Sequence, residues 1–344
     1  MSVAIIGVEL AKNIFHIHAV DRHGGVVFRA SRKRSDWVEH VCERIEPKTI
    51  VAMEACASAH HWGREFQARG FQVRLISGQF VKPYVKSNKN DRIDAAAIAE
   101  AAVRPGMRFV TVKSRRQQDL QALHRVRDEL MHQRTAKANQ IRGLTAEYGI
   151  VAPVGLKTLR SAIPVWLEDA SNGLSDLFRT ILLGLQDDLT GLDERVDQLS
   201  KQIERIAAED PIARRLSGLR GIGPLGATAW AIQLGDGRQF KRGRDFAASL
   251  GLVPRQHSTG GKARLLGISK RGDAYTRKLL VHGARAVIRH HKADNDPLNR
   301  WLHHQMSRKH PNVVSVALAN KTARIAWAIA RGAEYRPELA ARTN

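Results

Sequence analysis

Cysteine is nearly absent from this chain: 344 residues hold two, Cys42 and Cys56. Two thiols cannot supply a disulfide framework or a zinc cage, so they predict reduced thiols in a cytosol. Acid is also short, with 33 Asp and Glu against 56 Lys and Arg, a net charge of +23. The basic residues run along the whole chain instead of gathering in a tail, so folded surfaces carry them. Such a charge says little about fold and much about partners. It makes nucleic acid the leading partner and an anionic membrane surface the runner-up. Long hydrophobic runs are missing too. No apolar stretch reaches the roughly 18 residues that span a bilayer, which argues against a membrane partner. The N-terminus meets Glu9 at once and has no basic n-region, so it is not read as a signal peptide. No nucleotide-binding motif is seen. These absences leave a cytoplasmic nucleic-acid-binding protein, long enough for two or three domains with real cores.

What is present reads first as α/β. Strands are predicted at 3–8 and 14–20, then a turn at Asp21-Arg22-His23-Gly24-Gly25 into Val26-Val27-Phe28. Spacing this close favours an antiparallel meander. A helix follows from Ser35, as N-cap, to about Ile45, with Trp37, Val38, Val41 and Ile45 as its apolar face. Strands at 49–53 and 71–76 flank a helix at 60–69. Three strands, then alternating helix and strand, is the element order of a ribonuclease H-like domain. From 114 to about 148 the pattern turns helical and heavily basic. Leu120, Leu123, Leu130, Ile141 and Leu144 form its stripe, and Arg115, Arg116 and Arg127 stand among cations of one sign that suit a nucleic acid. Leu182, Leu185, Leu189, Leu192, Val196, Leu199, Ile203 and Ile206 then alternate by three and four. That is a coiled-coil seam, and self-association through 182–206 is the favoured reading. Asp210-Pro211 marks a boundary. The expected organisation is therefore an α/β domain at 1–113, a helical coiled-coil linker at 114–211 and a mostly α domain at 212–344. In the last of these, Gly221-Ile222-Gly223 between two helices resembles a helix–hairpin–helix. Its glycines would let the backbone approach a phosphate, and the next helix would offer free N–H groups. The pairs His60-His61, His290-His291 and His303-His304 have no ligand-like spacing and are read as surface or nucleic-acid contacts.

Two segments carry chemistry. Glu9 and Glu54 each close a short apolar run, and Asp91 and Asp94 sit three apart at the start of an alanine-rich segment. Bare carboxylates in contact repel, and one would have to protonate. A divalent cation removes that conflict, so the four suggest a Mg²⁺ or Mn²⁺ site acting on phosphates. The second segment runs Gly251-Leu252-Val253-Pro254-Arg255-Gln256-His257-Ser258-Thr259-Gly260-Gly261-Lys262. It continues past Arg264 through Ile268-Ser269-Lys270-Arg271-Gly272-Asp273. It reads either as a phosphate-binding loop made of backbone N–H groups and cations, or as a serine nucleophile flanked by charge-stabilising arginines. These residues alone leave both open.

Together these blocks resemble the DEDD transposases of bacterial insertion sequences, the insertion-sequence-110 family. The matching residues are Ile6-Gly7-Val8-Glu9-Leu10-Ala11-Lys12-Asn13, Lys89-Asn90-Asp91-Arg92-Ile93-Asp94-Ala95, and the segment from Gly251 to Lys262 with its Ile268–Gly272 tail. The last is the most specific, and the resemblance covers nearly the whole chain. It implies a RuvC-like N-terminal domain whose acidic tetrad, here Glu9, Glu54, Asp91 and Asp94, binds Mg²⁺. It further implies a coiled-coil linker and a C-terminal transposase domain with a catalytic serine, which falls on Ser258 and not Thr259. Such enzymes excise and insert their element by recombination, guided by a structured RNA from the element that pairs with donor and target DNA. A dimer or tetramer acting in the bacterial cytoplasm, at the nucleoid, is expected. One departure stands out: the family motif usually has aspartate where this chain has Glu9, one methylene longer. Ligand distances in metal sites tolerate about ±0.2 Å, so the backbone or the coordination mode must adjust. The rival readings are a metal-dependent nuclease or junction resolvase, in which water attacks and Ser258 only binds phosphate, and a non-catalytic nucleic-acid-binding protein.

Overall fold

The computed structural model describes residues 2–86, 90–152, 154–292 and 296–335, and the chain divides into two compact units, 1–118 and 119–344. In the first unit, period-two alternation sorts side chains to the two faces of a sheet. β1 (Ile5–Glu9) places Ile6 and Val8 in one buried cluster and Ile5 in the other. β2 (Ile14–Val20) and β3 (Val26–Lys33) continue from it as the expected antiparallel meander. β4 (Ile50–Glu54) lies parallel to β1, β5 (Gln72–Ile76) parallel to β4, and the short β6 (Phe109–Val110), which the sequence pattern did not suggest, closes the edge antiparallel. The strand order is β3-β2-β1-β4-β5-β6.

α1 (Trp37–Cys42) and α2 (Ala59–Ala68) contribute to the cluster on one face. There Trp37 meets Phe15, Trp62 and Phe66 at ring-centroid separations of 4.9–5.0 Å. α1 is shorter than expected: it begins after Asp36, not Ser35, and stops at Cys42, although Ile45 is still buried. α3 (Gly78–Val81) and α4 (Asp91–Val103) contribute to the other cluster. The approach of α4 to β1 depends on Gly7. A Cβ there would lie 2.2 Å from the Ala95 carbonyl oxygen and 2.5 Å from the Ala99 amide nitrogen, both backbone atoms of α4. Gly7→Ala is therefore expected to destabilise the chain by at least ~1–3 kcal/mol through overpacking. A urea midpoint unchanged from wild type would contradict this.

Among the described residues, the second unit is helical apart from one hairpin. α5 (Arg115–Ala146), whose first turn falls before the division, is followed by α6 (Leu156–Glu168) and α7 (Asp176–Glu209). Ile141, Leu159, Ile163, Phe178, Leu182, Leu185 and Leu189 from these helices share one core. Asp193 of α7 pairs with both Arg134 and Arg160. The seam expected to drive self-association is thus largely covered within one chain. Val196 and Ile203 are buried with the upstream leucines, and Leu192, Leu199 and Ile206 are half-buried. A three-four repeat specifies an apolar stripe but not whose helix covers it.

α8 (Pro211–Leu216), α9 (Pro224–Leu234) and α10 (Gly243–Ser249) lead into the hairpin of β7 (Pro254–Gln256) and β8 (Leu265–Ile268). α11 (Ala274–Arg289), α12 (Pro297–Met306) and α13 (Pro311–Ala330) complete the unit around Trp230, Phe246, Leu280, Leu302, Leu318 and Ala323. α13 corrects one sequence expectation. By length and composition it is apolar enough to cross a membrane, yet Val314, Leu318, Ala319, Ala323, Ala326 and Ile329 are buried in this core. The Gly-Ile-Gly turn does separate two helices, but Gly221 has a different use from the one expected. Its φ is +79°, and a Cβ would lie 2.6 Å from the Gly283 carbonyl oxygen of α11, so this glycine admits a neighbouring helix. Gly223 has no such neighbour within 4 Å.

Candidate active site

Glu9 and Glu54 occupy the C-terminal ends of neighbouring parallel strands, with Val8 in register with Met53. Ligand sites in open α/β sheets favour these carboxyl ends. Both acids act electrostatically on the same thiol. Burial pushes Cys56 up to about 11, and the negative charges of Glu9 and Glu54 add to the shift. Glu54 is closely cradled by Gly78, where a Cβ would sit 2.6 Å from Oε1. Asp91 and Asp94 fall in the first turn of α4, beyond Asn90, whose side chain accepts from the Arg92 amide at 3.0 Å. The cap fixes where the helix begins, and the positive end of its dipole favours ionised carboxylates there. Asp91 is brought to the end of β1 through His16, the antiparallel register partner of Glu9. His16 Nε2 stands 3.8 Å from Asp91 Oδ2. Asp94 is three residues further along α4, which places it on the same side of the helix as Asp91. Among the described residues no three His, Cys, Asp or Glu side chains already form a metal-holding group. Lys89, which opens this sequence block, lies outside the described residues.

Ser258 lies in the second unit, and its setting differs from the expected loop. Residues 254–268 form a hairpin, extended beyond its strands by the His257 amide donating to the Arg264 carbonyl at 2.9 Å and by pairing of Thr259 with Lys262. Gly260 (φ +53°) and Gly261 (φ +75°) are the two central residues of its tip, where the Lys262 amide donates to the Thr259 carbonyl at 3.0 Å. Two positive φ angles in a two-residue connection are what a tight hairpin requires, which explains this pair of glycines without a phosphate. Ser258 Oγ accepts from Gln256 Nε2 at 2.9 Å and from the Arg264 backbone N–H at 3.2 Å. Arg255, Lys262, Arg264, Lys270 and Arg271 are all exposed around or just beyond the hairpin.

The hairpin base is rigidly tied. A Cβ on Gly251 would lie 2.5 Å from the Arg271 amide nitrogen, and one on Gly272 would lie 1.8 Å from the Ser249 carbonyl oxygen. Arg277 Nη1 donates to the Leu250 and Arg271 carbonyls at 3.0 and 3.2 Å. Below it, His124 joins α5 to α11 and α9 through Tyr275 Oη and Thr228 Oγ1, both at 2.9 Å. The Thr228 hydroxyl donates to the Pro224 carbonyl, so it accepts from His124 Nε2–H. Burial holds this imidazole neutral and pushes its pKa down to about 4.

The expected basic contacts divide. Arg115 and Arg116 are exposed, whereas Arg127 is half-buried and donates to Ser200 Oγ at 2.8 Å within the chain. His60 is no surface contact: its Nδ1 accepts from the Lys113 amide at 3.1 Å, and burial pushes its pKa down to about 4. Sequence reasoning missed His16, Cys56, Gly78 and Gln256. None of the four belongs to a motif, and His16 gains its place only from the strand register that sets it opposite Glu9.

Two family models match the chain. One, for DEDD transposases of the IS110 type and described as "Transposase", covers residues 6–150. The other, "Transposase IS116/IS110/IS902 family", covers residues 213–298. The chain is 48% identical over 339 residues to a "Probable family 20 transposase" of Pseudomonas aeruginosa, covering 98% of this chain and 100% of that protein. It is 43% identical to the "Transposase for insertion sequence element IS1328" of Yersinia enterocolitica, covering 95% of this chain and 97% of the relative. It is likewise 43% identical to the "Transposase for insertion sequence element IS1111A" of Coxiella burnetii, covering 95% of this chain and 89% of the relative. With acids at the ends of a mixed sheet, a helical second unit and relatives matched over nearly their whole length, this chain belongs to the IS110 family of DEDD transposases, which cut and rejoin DNA for transposition.

Proposed function

We propose that the chain is an RNA-guided DNA recombinase in which Ser258 attacks the phosphodiester and the acidic tetrad holds a divalent cation. The observation that carries this reading is the Ser258 hydroxyl, whose oxygen accepts from both Gln256 Nε2 and the Arg264 amide. Two donors aimed at that oxygen stabilise it as it loses its proton. Arg255, Lys262 and Arg264 would offset charge building on the phosphate. The Oγ–P bond forms as a P–O bond of the strand breaks, and the hydroxyl proton ends on the released strand-end oxygen. A hydroxyl of another strand then displaces Ser258 and restores the phosphodiester, so no ATP is consumed.

The donor set fits a hard divalent cation: four carboxylates, with Gly78 leaving Glu54 room that a side chain would fill. Glu9, Glu54, Asp91 and Asp94 would hold Mg²⁺ or Mn²⁺. When bound, the ion would supply Lewis-acid polarisation of a phosphate oxygen. Donor and target DNA and a structured RNA from the element are the partners, in the bacterial cytoplasm. The reading retains a dimer or tetramer, although the 182–206 seam is mostly covered within the chain.

The test is strand exchange by purified protein on element-end DNA with Mg²⁺, with and without RNA transcribed from the element's non-coding DNA. Rejoined products that require the RNA are expected. Rejoining that ignores the RNA would remove the guide, and cut ends that are never rejoined would favour a nuclease.

Binding should also fall steeply with salt. A chain of charge +23 is expected to make at least ~6 phosphate contacts, giving a log–log slope of about −5 or steeper. A flat response in a filter-binding titration would assign the basic charge to solubility.

A further inference from the structure

We propose that His16 is a positioning residue of the acidic centre, fixing the Asp91 carboxylate; the inference rests on the tetrad reading above. The centre has a problem that its four acids do not solve. Asp91 is half-exposed at the start of a helix, its side chain 50% accessible. A carboxylate in that setting has several rotamers open to it.

The sheet supplies the restraint. Glu9, His16 and Ser31 are consecutive register partners across β1, β2 and β3. Directly opposed residues in antiparallel strands point to the same face, so the three form one row. Ser31 Oγ lies 3.0 Å from His16 Nδ1. His16 Nε2, at the other end of the ring, faces Asp91 Oδ2 at 3.8 Å, the separation of an ion pair and not yet of a hydrogen bond. An ionised carboxylate can only accept, so the arrangement selects the tautomer with its proton on Nε2. The Ser31 hydroxyl then donates to Nδ1, and the ring is held from behind with its N–H toward Asp91. The imidazole itself is largely enclosed, its side chain 18% accessible, so few other orientations are open to it. A small rotation of Asp91 closes the remaining gap, and His16 thereafter holds one oxygen while the other is left for a ligand. Groups that orient metal-binding side chains in this way contribute about 10- to 100-fold in metal affinity.

The test is Mn²⁺ binding to the full chain, read by electron paramagnetic resonance, for wild type, His16→Ala, His16→Gln, Ser31→Ala and Asp94→Ala. Gln retains an N–H donor near the position of Nε2. Wild type should bind, His16→Ala should weaken binding about tenfold or more, and His16→Gln should recover most of the loss. Ser31→Ala should fall between, because it frees the ring without removing it. Thermal melts of each variant separate a lost fold from a lost restraint. Equal binding by wild type and His16→Ala would overturn the assignment. So would a folded His16→Gln protein as weak as His16→Ala, or a nitrogen coupling to the bound Mn²⁺ that makes His16 a ligand. If wild type does not bind Mn²⁺, or Asp94→Ala binds as well as wild type, the tetrad reading itself fails, and this inference with it.

Discussion

Asp91→Ala and Asp94→Ala are each expected to abolish metal-dependent strand cleavage, by at least a hundredfold, while nucleic-acid affinity stays within about twofold. In the proposed tetrad, each would remove a charged oxygen donor to the cation. The cost should fall on catalysis because binding is carried elsewhere, by a chain with 56 Lys and Arg. Removing one acid changes the net charge by a single unit toward tighter binding. The fold should tolerate the change. Both residues sit in the first turn of α4, where Asn90 still caps the helix, and neither belongs to the buried core. The loss of favourable dipole interaction is worth about 0.3–1 kcal/mol. The measurement is a cleavage time course beside a binding isotherm and a melt. Cleavage at the wild-type rate in Mg²⁺ by either folded variant would remove the tetrad from the mechanism.

Ser258→Ala is the second large effect, and its size discriminates between mechanisms. In a nuclease that uses water, Ser258 would bind phosphate only, and its loss would cost a hydrogen bond, on the order of 1 kcal/mol or about fivefold. As the nucleophile, Ser258 carries the only route to the covalent intermediate, and its loss should take cleavage below detection. Thr259 should not rescue it. Thr259 pairs with Lys262 at the hairpin tip, whereas Ser258 Oγ is held by Gln256 and the Arg264 amide. Adjacent residues of an extended arm point to opposite faces. Thr259→Ala should therefore keep cleavage near the wild-type rate. The base of the hairpin is fixed by Gly251, Gly272 and Arg277, so neither substitution should move it. A fivefold loss in Ser258→Ala would favour the water-using reading.

The part of this architecture that was legible in sequence is the part written in local pattern. Short apolar runs at 3–8 and 14–20 specify strands, and the close turn at 21–25 specifies a meander, which the sheet contains. Glu9 and Glu54 do end strands, and Asp91 and Asp94 do open a helix, as the apolar runs and the alanine-rich segment suggested. What could not be read is which surface meets which. Leu182 to Ile206 announce an apolar stripe, but the burial of Leu182, Leu185 and Leu189 is shared with residues such as Ile141 and Leu159, distant in sequence. Gly221 looked like a phosphate-facing glycine, and only the fold shows that a Cβ there would come within 2.6 Å of the Gly283 carbonyl oxygen. In the same way Gly260 and Gly261 suggested a phosphate loop, when the hairpin needs their positive φ angles first. Glycine marks a close approach or an unusual dihedral, and sequence does not say to what. His16 was hidden for the opposite reason. A histidine within a strand carries no motif, and its meaning comes from the register that sets it opposite Glu9.

The central claim is the covalent step, and the most direct measurement is the chemical identity of any bond between this protein and DNA. A nicked element-end substrate lets the released strand end diffuse away, which should trap the ester on a denaturing gel. Nuclease digestion, proteolysis and mass spectrometry would then locate the remaining nucleotide phosphate. The account predicts a single metal-dependent adduct on the hairpin peptide, at Ser258, absent from Ser258→Ala and present in Thr259→Ala. Strand cleavage without any adduct, or an adduct at Thr259 or Ser269, would contradict it.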